Sequence, residues 1–316
     1  MDPRVTTTVN GAPLEYVDKG GAGPVIVLLH GALMDEYLWR DVVTQIAPEH
    51  RCVIPVLPMG AHRLPMPGLD VSPAAQAELV ADLLVDLELD DVTLVGNDTG
   101  GAIAQLLAAH RPESVGRLVL VSCDAFENFP PGLPGKLMAL LCKMPGAMYL
   151  SMLSLRIPPL RRLPATFGWM AKRPIPNDIF TRWLDAYLSN RRVRADVRRM
   201  MSHVDSDDLL AAAPSLRAFT GPALIVWATE DRVMPVDHAT RLAEHLPNAR
   251  VSLVEDSYTL MPLDQPQPLA GLIAAHIREA ETAVTGTHPR PPATTQVGGD
   301  NNRHRSSMPD LRKEPT

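Results

Sequence analysis

The chain reads as an α/β protein with a mostly parallel central sheet, flanking helices and an inserted helical cap. Three observations carry that reading. Short apolar runs rich in β-branched residues alternate with helical stretches, and such alternation builds a parallel sheet whose strands are buried on both faces. One of the runs, Val92–Gly96, passes directly into Asn97-Asp98-Thr99-Gly100-Gly101 and an alanine-rich helix. The stretch of about a hundred residues between Ser122 and Ala223 has Leu, Met, Pro and Arg at helical spacing and no strand-like run.

Taken in order, Val5–Asp18 is expected to form an opening hairpin. Val25–His30, closed by Gly31, and Cys52–Pro58 are buried-strand signals. Pro73–Leu89 has helical periodicity behind Ser72, whose hydroxyl can cap a helix start. The strand Val92–Gly96, a helix Gly100–His110 and a strand Leu118–Ser122 follow. After the insertion come a strand Ala223–Ala228, a helix His238–Leu246, a strand Val251–Val254 and a closing helix Gln267–Glu281. The expected organisation is a core over 1–124, a helical cap over 125–215 and the rest of the core over 216–283. Residues 284–316 are polar and rich in Pro, Gly, Asn and Arg, and they are expected to be disordered because they cannot bury enough apolar surface.

With 316 residues, 46% of them hydrophobic, the chain can bury one substantial core. A net charge of −6, spread over both halves, gives no basic stripe of the kind that nucleic acid or an anionic membrane requires. A small apolar molecule is the expected partner, with a homodimer left open. The most apolar stretch, Leu133–Leu160, is broken by Pro134, Lys143, Pro145 and Arg156, so it reads as a lid and no membrane span is expected. Cys52, Cys123 and Cys142 are odd in number and lack metal-type spacing, so they read as buried reduced thiols. The polar Met1–Thr8 segment lacks the apolar core of a signal peptide, which points to the cytoplasm. No dinucleotide, P-loop or metal-ligand pattern occurs, so neither cofactor nor metal is expected.

The strand, turn and helix around Asp98 form a nucleophile elbow: small residues permit a strained turn that presents one side chain at the top of the sheet. That residue is usually serine, but no G-x-S-x-G occurs in the sequence, which disfavours a serine esterase. The bland alternative for Asp98 is a helix cap facing the helix dipole.

Together with His30-Gly31-Ala32-Leu33, Tyr37-Leu38-Trp39-Arg40 and Asp231, the elbow resembles the haloalkane dehalogenase and epoxide hydrolase branch of the α/β-hydrolase superfamily, over roughly Val25–Ala283. The resemblance implies the α/β-hydrolase fold and an aspartate nucleophile, Asp98. Such a carboxylate forms an alkyl-enzyme ester, which a histidine oriented by an acid releases by activating water. By the same resemblance, Ala32 or Leu33 and Thr99 supply the oxyanion-hole amides, His30 orders its loop, and Asp231 is the orienting acid. Asp124 matches the alternative acid position of some dehalogenases.

The sequence also departs from that branch. In Asp256–Pro266, Thr259, with Tyr258 beside it, stands where the catalytic histidine is expected. His238, seven residues beyond Asp231, is the nearest substitute base, at a helix start expected to face away from the elbow. The halide-binding tryptophan that follows the nucleophile in dehalogenases is replaced by Thr99, and Trp39, Trp169, Trp183 and Trp227 read as packing residues. Tyr149 and Tyr187 lie in the cap, where epoxide hydrolases carry a proton-donating tyrosine; lid packing is the alternative for both. The segments Leu57–Arg63, Gly96–Gly101 and Tyr258–Pro266 resemble uncharacterised actinobacterial α/β-hydrolase-like proteins, which suggests a distinct subfamily. The expected function is a cofactor-free hydrolase acting on a small apolar electrophile, haloalkane-, epoxide- or ester-like. Its rivals are a binding protein that has kept the pocket and lost turnover, and a lyase or isomerase in which Asp98 abstracts a proton.

Overall fold

A computed structural model describes residues 2–286; the stretch expected to be disordered lies, from residue 287 onward, outside the described residues. Strands β1 (Val5–Val9) and β2 (Ala12–Asp18) pair antiparallel around Asn10 and Gly11, both at positive φ, as a two-residue hairpin turn requires. Strands β3 (Val25–Leu29), β4 (Arg51–Val56), β5 (Thr93–Asp98), β6 (Arg117–Cys123), β7 (Ala223–Ala228) and β8 (Ala249–Val254) complete an eight-stranded sheet in the order β1-β2-β4-β3-β5-β6-β7-β8. From β4 to β8 the pairing is parallel throughout. The central strands β5, β6 and β7 are buried at every position, the pattern that helices on both faces of a parallel sheet produce. The fold is the α/β-hydrolase fold.

Helices α1 (Arg40–Ile46), α2 (Pro73–Asp86) and α3 (Thr99–His110) follow β3, β4 and β5. Ser72 caps α2 as its sequence suggests, accepting a hydrogen bond from the Ala75 N–H. Helices α4 (Gly132–Lys143), α5 (Ala147–Ser154), α6 (Asn177–Ser189), α7 (Arg191–Ser202) and α8 (Ser206–Ala212) lie between β6 and β7. Helix α8 packs on the core helix α3, so by packing it belongs to the core layer rather than to the cap. Helices α9 (Asp237–His245), α10 (Met261–Asp264) and α11 (Pro266–Gly286) close the chain, and α11 outlasts its expected end at Glu281.

Buried polar groups fix the cap on the sheet. Asp35 and Glu36, both buried, bind Arg4 of the N-terminal segment and Arg182 of α6, while the Trp183 Nε1–H donates to Asp35 Oδ1 at 2.8 Å. The His62 Nε2–H faces Asp196 of α7 at 3.1 Å, tying the loop after β4 to the cap. Charged carboxylates buried this deeply are costly unless paired and hydrogen-bonded, so each anchor fixes one arrangement of cap and core. Among the described residues no helix is long and apolar enough to cross a membrane.

Candidate active site

Asp98 ends β5 and begins α3 at φ 56° and ψ −131°, a backbone conformation that side chains with a Cβ rarely adopt. The turn fits because the surrounding residues are small. A Cβ on Gly101 would meet Cys123 Cβ at 2.2 Å, and one on Gly31 would meet Asp98 Oδ1 at 2.5 Å. Gly31 therefore lets the loop after β3 approach the carboxylate.

That approach places two backbone amides on one oxygen. Asp98 Oδ1 accepts from the Ala32 N–H at 3.2 Å and from the Thr99 N–H at 2.7 Å. The Leu33 N–H instead donates to the Met59 carbonyl at 2.8 Å, so of the two loop nominees Ala32 reaches the carboxylate and Leu33 does not. Asp98 Oδ2 accepts no hydrogen bond among the described residues. Burial raises the Asp98 pKa, against the opposing pull of the two amides and the Thr99 hydroxyl.

The Thr99 hydroxyl adds a feature that the amide assignment missed. Its oxygen lies 3.0 Å from Asp98 Oδ1 and 3.0 Å from Asp124 Oδ2. One hydroxyl carries one proton, so both contacts are hydrogen bonds only when one carboxyl is protonated. Asp124 is that carboxyl: it is fully buried, its Oδ1 has no partner, and burial together with the Asp98 charge pushes its pKa well above the usual range. When Asp124 holds the proton it donates to the Thr99 hydroxyl, which is then free to donate to Asp98. The sheet register could have signalled this arrangement, because Asp98 pairs with Cys123, the residue before Asp124, on the adjacent parallel strand.

At the neighbouring end of the sheet, Asp231 follows β7. Its Oδ1 accepts from the Val233 and Met234 amides at 2.9 and 2.8 Å and from the Thr259 hydroxyl at 2.8 Å. Thr259, which stands where the family resemblance places a histidine, thus bonds directly to Asp231. Burial pushes the Asp231 pKa up to about 6, because the donors are neutral and no cation pairs with the charge. Asn97, which the sequence reading passed over, connects the two ends: its amide nitrogen is 2.8 Å from both the Val121 and the Thr259 carbonyls.

Above Asp98 and Thr99 lies a narrow cavity of about 100 Å³, roofed by the cap through residues such as Met138, Leu141, Met148, Met152 and Phe167. Its volume suits a compact ligand, since an engineered cavity of roughly 150 Å³ holds benzene. No histidine lines it among the described residues. His30 is fully buried, faces the Gly31 carbonyl through Nδ1 and accepts the Leu57 N–H at Nε2; burial lowers its pKa to about 4, which leaves it neutral in a loop-ordering role. His238 packs edge-on against Phe126 with Nε2 3.6 Å from Glu127 Oε1, away from the cavity, so the geometry does not bring it to Asp98. Tyr187 is buried beside Cys142, Tyr149 packs under Arg194, and neither they nor any tryptophan lines the cavity. Among the described residues no group of three or more His, Cys, Asp or Glu side chains could hold a metal ion.

The model of the alpha/beta hydrolase family matches residues 26–272. A haloalkane dehalogenase of Mesorhizobium japonicum is 34% identical over 102 residues, which is 32% of this chain and 33% of its own. A cis-3-alkyl-4-alkyloxetan-2-one decarboxylase of Shewanella oneidensis is 26% identical over 291 residues, 89% of this chain and 90% of its own. In structure, a haloalkane dehalogenase loop variant from Bradyrhizobium elkanii superimposes with a TM-score of 0.73 at 19% identity, covering 90% of this chain and 99% of that one, a likeness that speaks to fold alone. With the family match spanning most of the sheet and the cap, the chain belongs to the α/β hydrolase family.

Proposed function

We propose that this α/β-hydrolase acts on a small apolar electrophile through nucleophilic attack by Asp98. The observation that carries the reading is the asymmetry of one carboxylate: Oδ1 is held by two backbone amides, while Oδ2 is free of hydrogen bonds at the floor of an apolar cavity. A lone pair of Oδ2 forms the bond to the electrophilic carbon, and the electrons of the breaking bond depart with the leaving group or the opened ring oxygen. Oδ1 becomes the ester carbonyl oxygen, already seated between the amides of Ala32 and Thr99. Water attacking the ester carbon would develop negative charge on that oxygen, where the same amides and the Thr99 hydroxyl stabilise it. The names of two relatives point to a haloalkane and a dialkyl-substituted oxetan-2-one, both alkyl-bearing electrophiles, which supports this substrate class.

Asp231 orients Thr259 rather than an imidazole, so water attack lacks general-base assistance worth roughly a hundred- to ten-thousandfold. The ester is therefore expected to persist. The same feature favours, as second reading, a protein that holds its ligand without turnover. Intact-protein mass spectrometry separates the two after wild type and Asp98→Asn are exposed to haloalkanes, epoxides, oxetan-2-ones and activated esters. An adduct on wild type alone supports nucleophilic attack with slow release. Product without adduct shows that another base completes the cycle, and neither adduct nor product moves the reading to ligand binding.

A further inference from the structure

The outer surface of the cap is the feature that the chemistry at Asp98 leaves unexplained. Large apolar side chains crowd it: Leu133, Leu140, Met144, Leu150, Ile157 and Leu163 are all exposed, Leu140 at 54% and Leu150 at 63%. On α4 the outward positions alternate, Leu133, Lys136, Leu140, Lys143, while the inward positions Leu137, Met138 and Leu141 line the cavity. Helix α5 repeats this arrangement, with Met148 and Met152 turned to the cavity and Leu150 and Leu153 to the outside. A helix that is apolar on both faces belongs in a core or against a second apolar phase.

Charge says which phase. Residues 128–163 carry five cations, Lys136, Lys143, Arg156, Arg161 and Arg162, and no Asp or Glu, in a chain whose total is −6. Two acids of α6 are paired: Asp185 with Arg156 at 3.0 Å, which cancels that one cation, and Asp178 with Arg40 at 2.7 Å. Lys136 and Lys143 are exposed, make no ion pair with any described residue, and stand among leucines, where long side chains can lay their stems along apolar groups and keep their charges at an anionic surface.

We propose that this face of the cap docks on an anionic lipid bilayer, with the α4 and α5 leucines in the interface and the lysines at the headgroups. Docking is peripheral, since among the described residues no helix is long and apolar enough to cross a membrane. It does not depend on the chemistry at Asp98. The proposal departs from the whole-chain charge, which argues against an anionic membrane, because the exposed face of α4 carries two lysines and no acid within a segment whose sign opposes the total. A docked cap would also place the roof of the cavity against lipid, the phase in which apolar molecules collect.

The test is co-sedimentation of the full chain with phosphatidylcholine vesicles and with vesicles containing phosphatidylglycerol. Wild type is expected to sediment with the anionic vesicles and to be released by salt. Leu140→Glu/Leu150→Glu and Lys136→Glu/Lys143→Glu are each expected to weaken binding at least about tenfold, the second because each surface lysine contributes on the order of 1 kcal/mol at an anionic bilayer. All four positions are exposed, and unchanged melting of each variant confirms that folding is kept. Wild type that stays in the supernatant at every lipid concentration overturns the proposal, as does a pair of variants that sediment like wild type. A wild-type dimer that Leu140→Glu/Leu150→Glu converts to monomer, without lipid binding, overturns it in favour of a second copy of this chain.

Discussion

The two ends of the site hold their carboxylates differently. At the elbow, Asp98 is set by backbone: a strained turn, the bare Cα of Gly31 and the amides of Ala32 and Thr99. Beyond β7, Asp231 is set equally well by the amides of Val233 and Met234, but the group it orients is one side chain, Thr259. Attack depends on features that the fold cannot give up without losing the turn, whereas release depends on a single replaceable residue. Under the proposed mechanism the two halves are physically separable: the groups that hold Asp98 are in place, while the group that Asp231 holds is the Thr259 hydroxyl.

The largest effect should come from removing the attacking group. Asp98→Asn keeps an oxygen for the amide cradle but has no carboxylate lone pair to offer, so adduct formation is expected to drop by on the order of a thousandfold or more, as losses of enzymic nucleophiles do. Adduct on the variant at the wild-type rate would dismiss Asp98 as the nucleophile. Next in size is a gain. Thr259→His puts an imidazole beside Asp231, and release of the ester should accelerate by roughly a hundred- to ten-thousandfold. Pulse-chase mass spectrometry reads the adduct lifetime directly, and an unchanged lifetime in a folded variant would show that the base position alone does not limit release.

The sequence revealed those parts of the site that follow from local chemistry. Val92–Gly101 announces the elbow because strand, small-residue turn and helix are contiguous, whereas the interest of Thr259 came from the family resemblance and not from its local sequence. The Thr99 bridge to Asp124 stayed hidden, since it depends on the register of β5 against β6 and on the loss of water around both acids. The choice between Ala32 and Leu33 likewise needed the path of the loop, which turns the Leu33 amide to Met59. The cap's charge is opposite in sign to the total, which the whole-chain balance conceals, and only the fold shows that Leu133, Lys136, Leu140 and Lys143 are exposed together along α4.

A smaller effect tests the bridge. Thr99→Val keeps the backbone amide and removes the hydroxyl that stabilises ionised Asp98. A hydrogen bond to a charged group contributes about 1.5 kcal/mol or somewhat more, equivalent to roughly one pH unit. Since Asp98 must be ionised to attack, the rising limb of adduct formation against pH should move up by about that much. A superimposable profile would mean that the hydroxyl does not support the charge.

The remaining effect is on stability rather than rate, at the other end of the site. The Asp231 pKa is about 6 in the folded chain, raised from 3.8. The folded state therefore holds a proton that the unfolded chain has released across this window, and stability falls as pH rises from about 4 to about 6, then levels. At about 1.4 kcal/mol per unit, the loss approaches 3 kcal/mol. Asp231→Asn retains an oxygen for the Val233 and Met234 amides and cannot titrate. Urea unfolding from pH 4 to 7 should show the variant's stability relative to wild type climbing through that window and constant above it. A constant difference at every pH would show that Asp231 is ionised throughout, and that the Thr259 hydroxyl and the two amides stabilise its charge without a cation. In that case the orienting acid would be as fully preorganised as the elbow, and the contrast between the two ends would reduce to the missing imidazole alone.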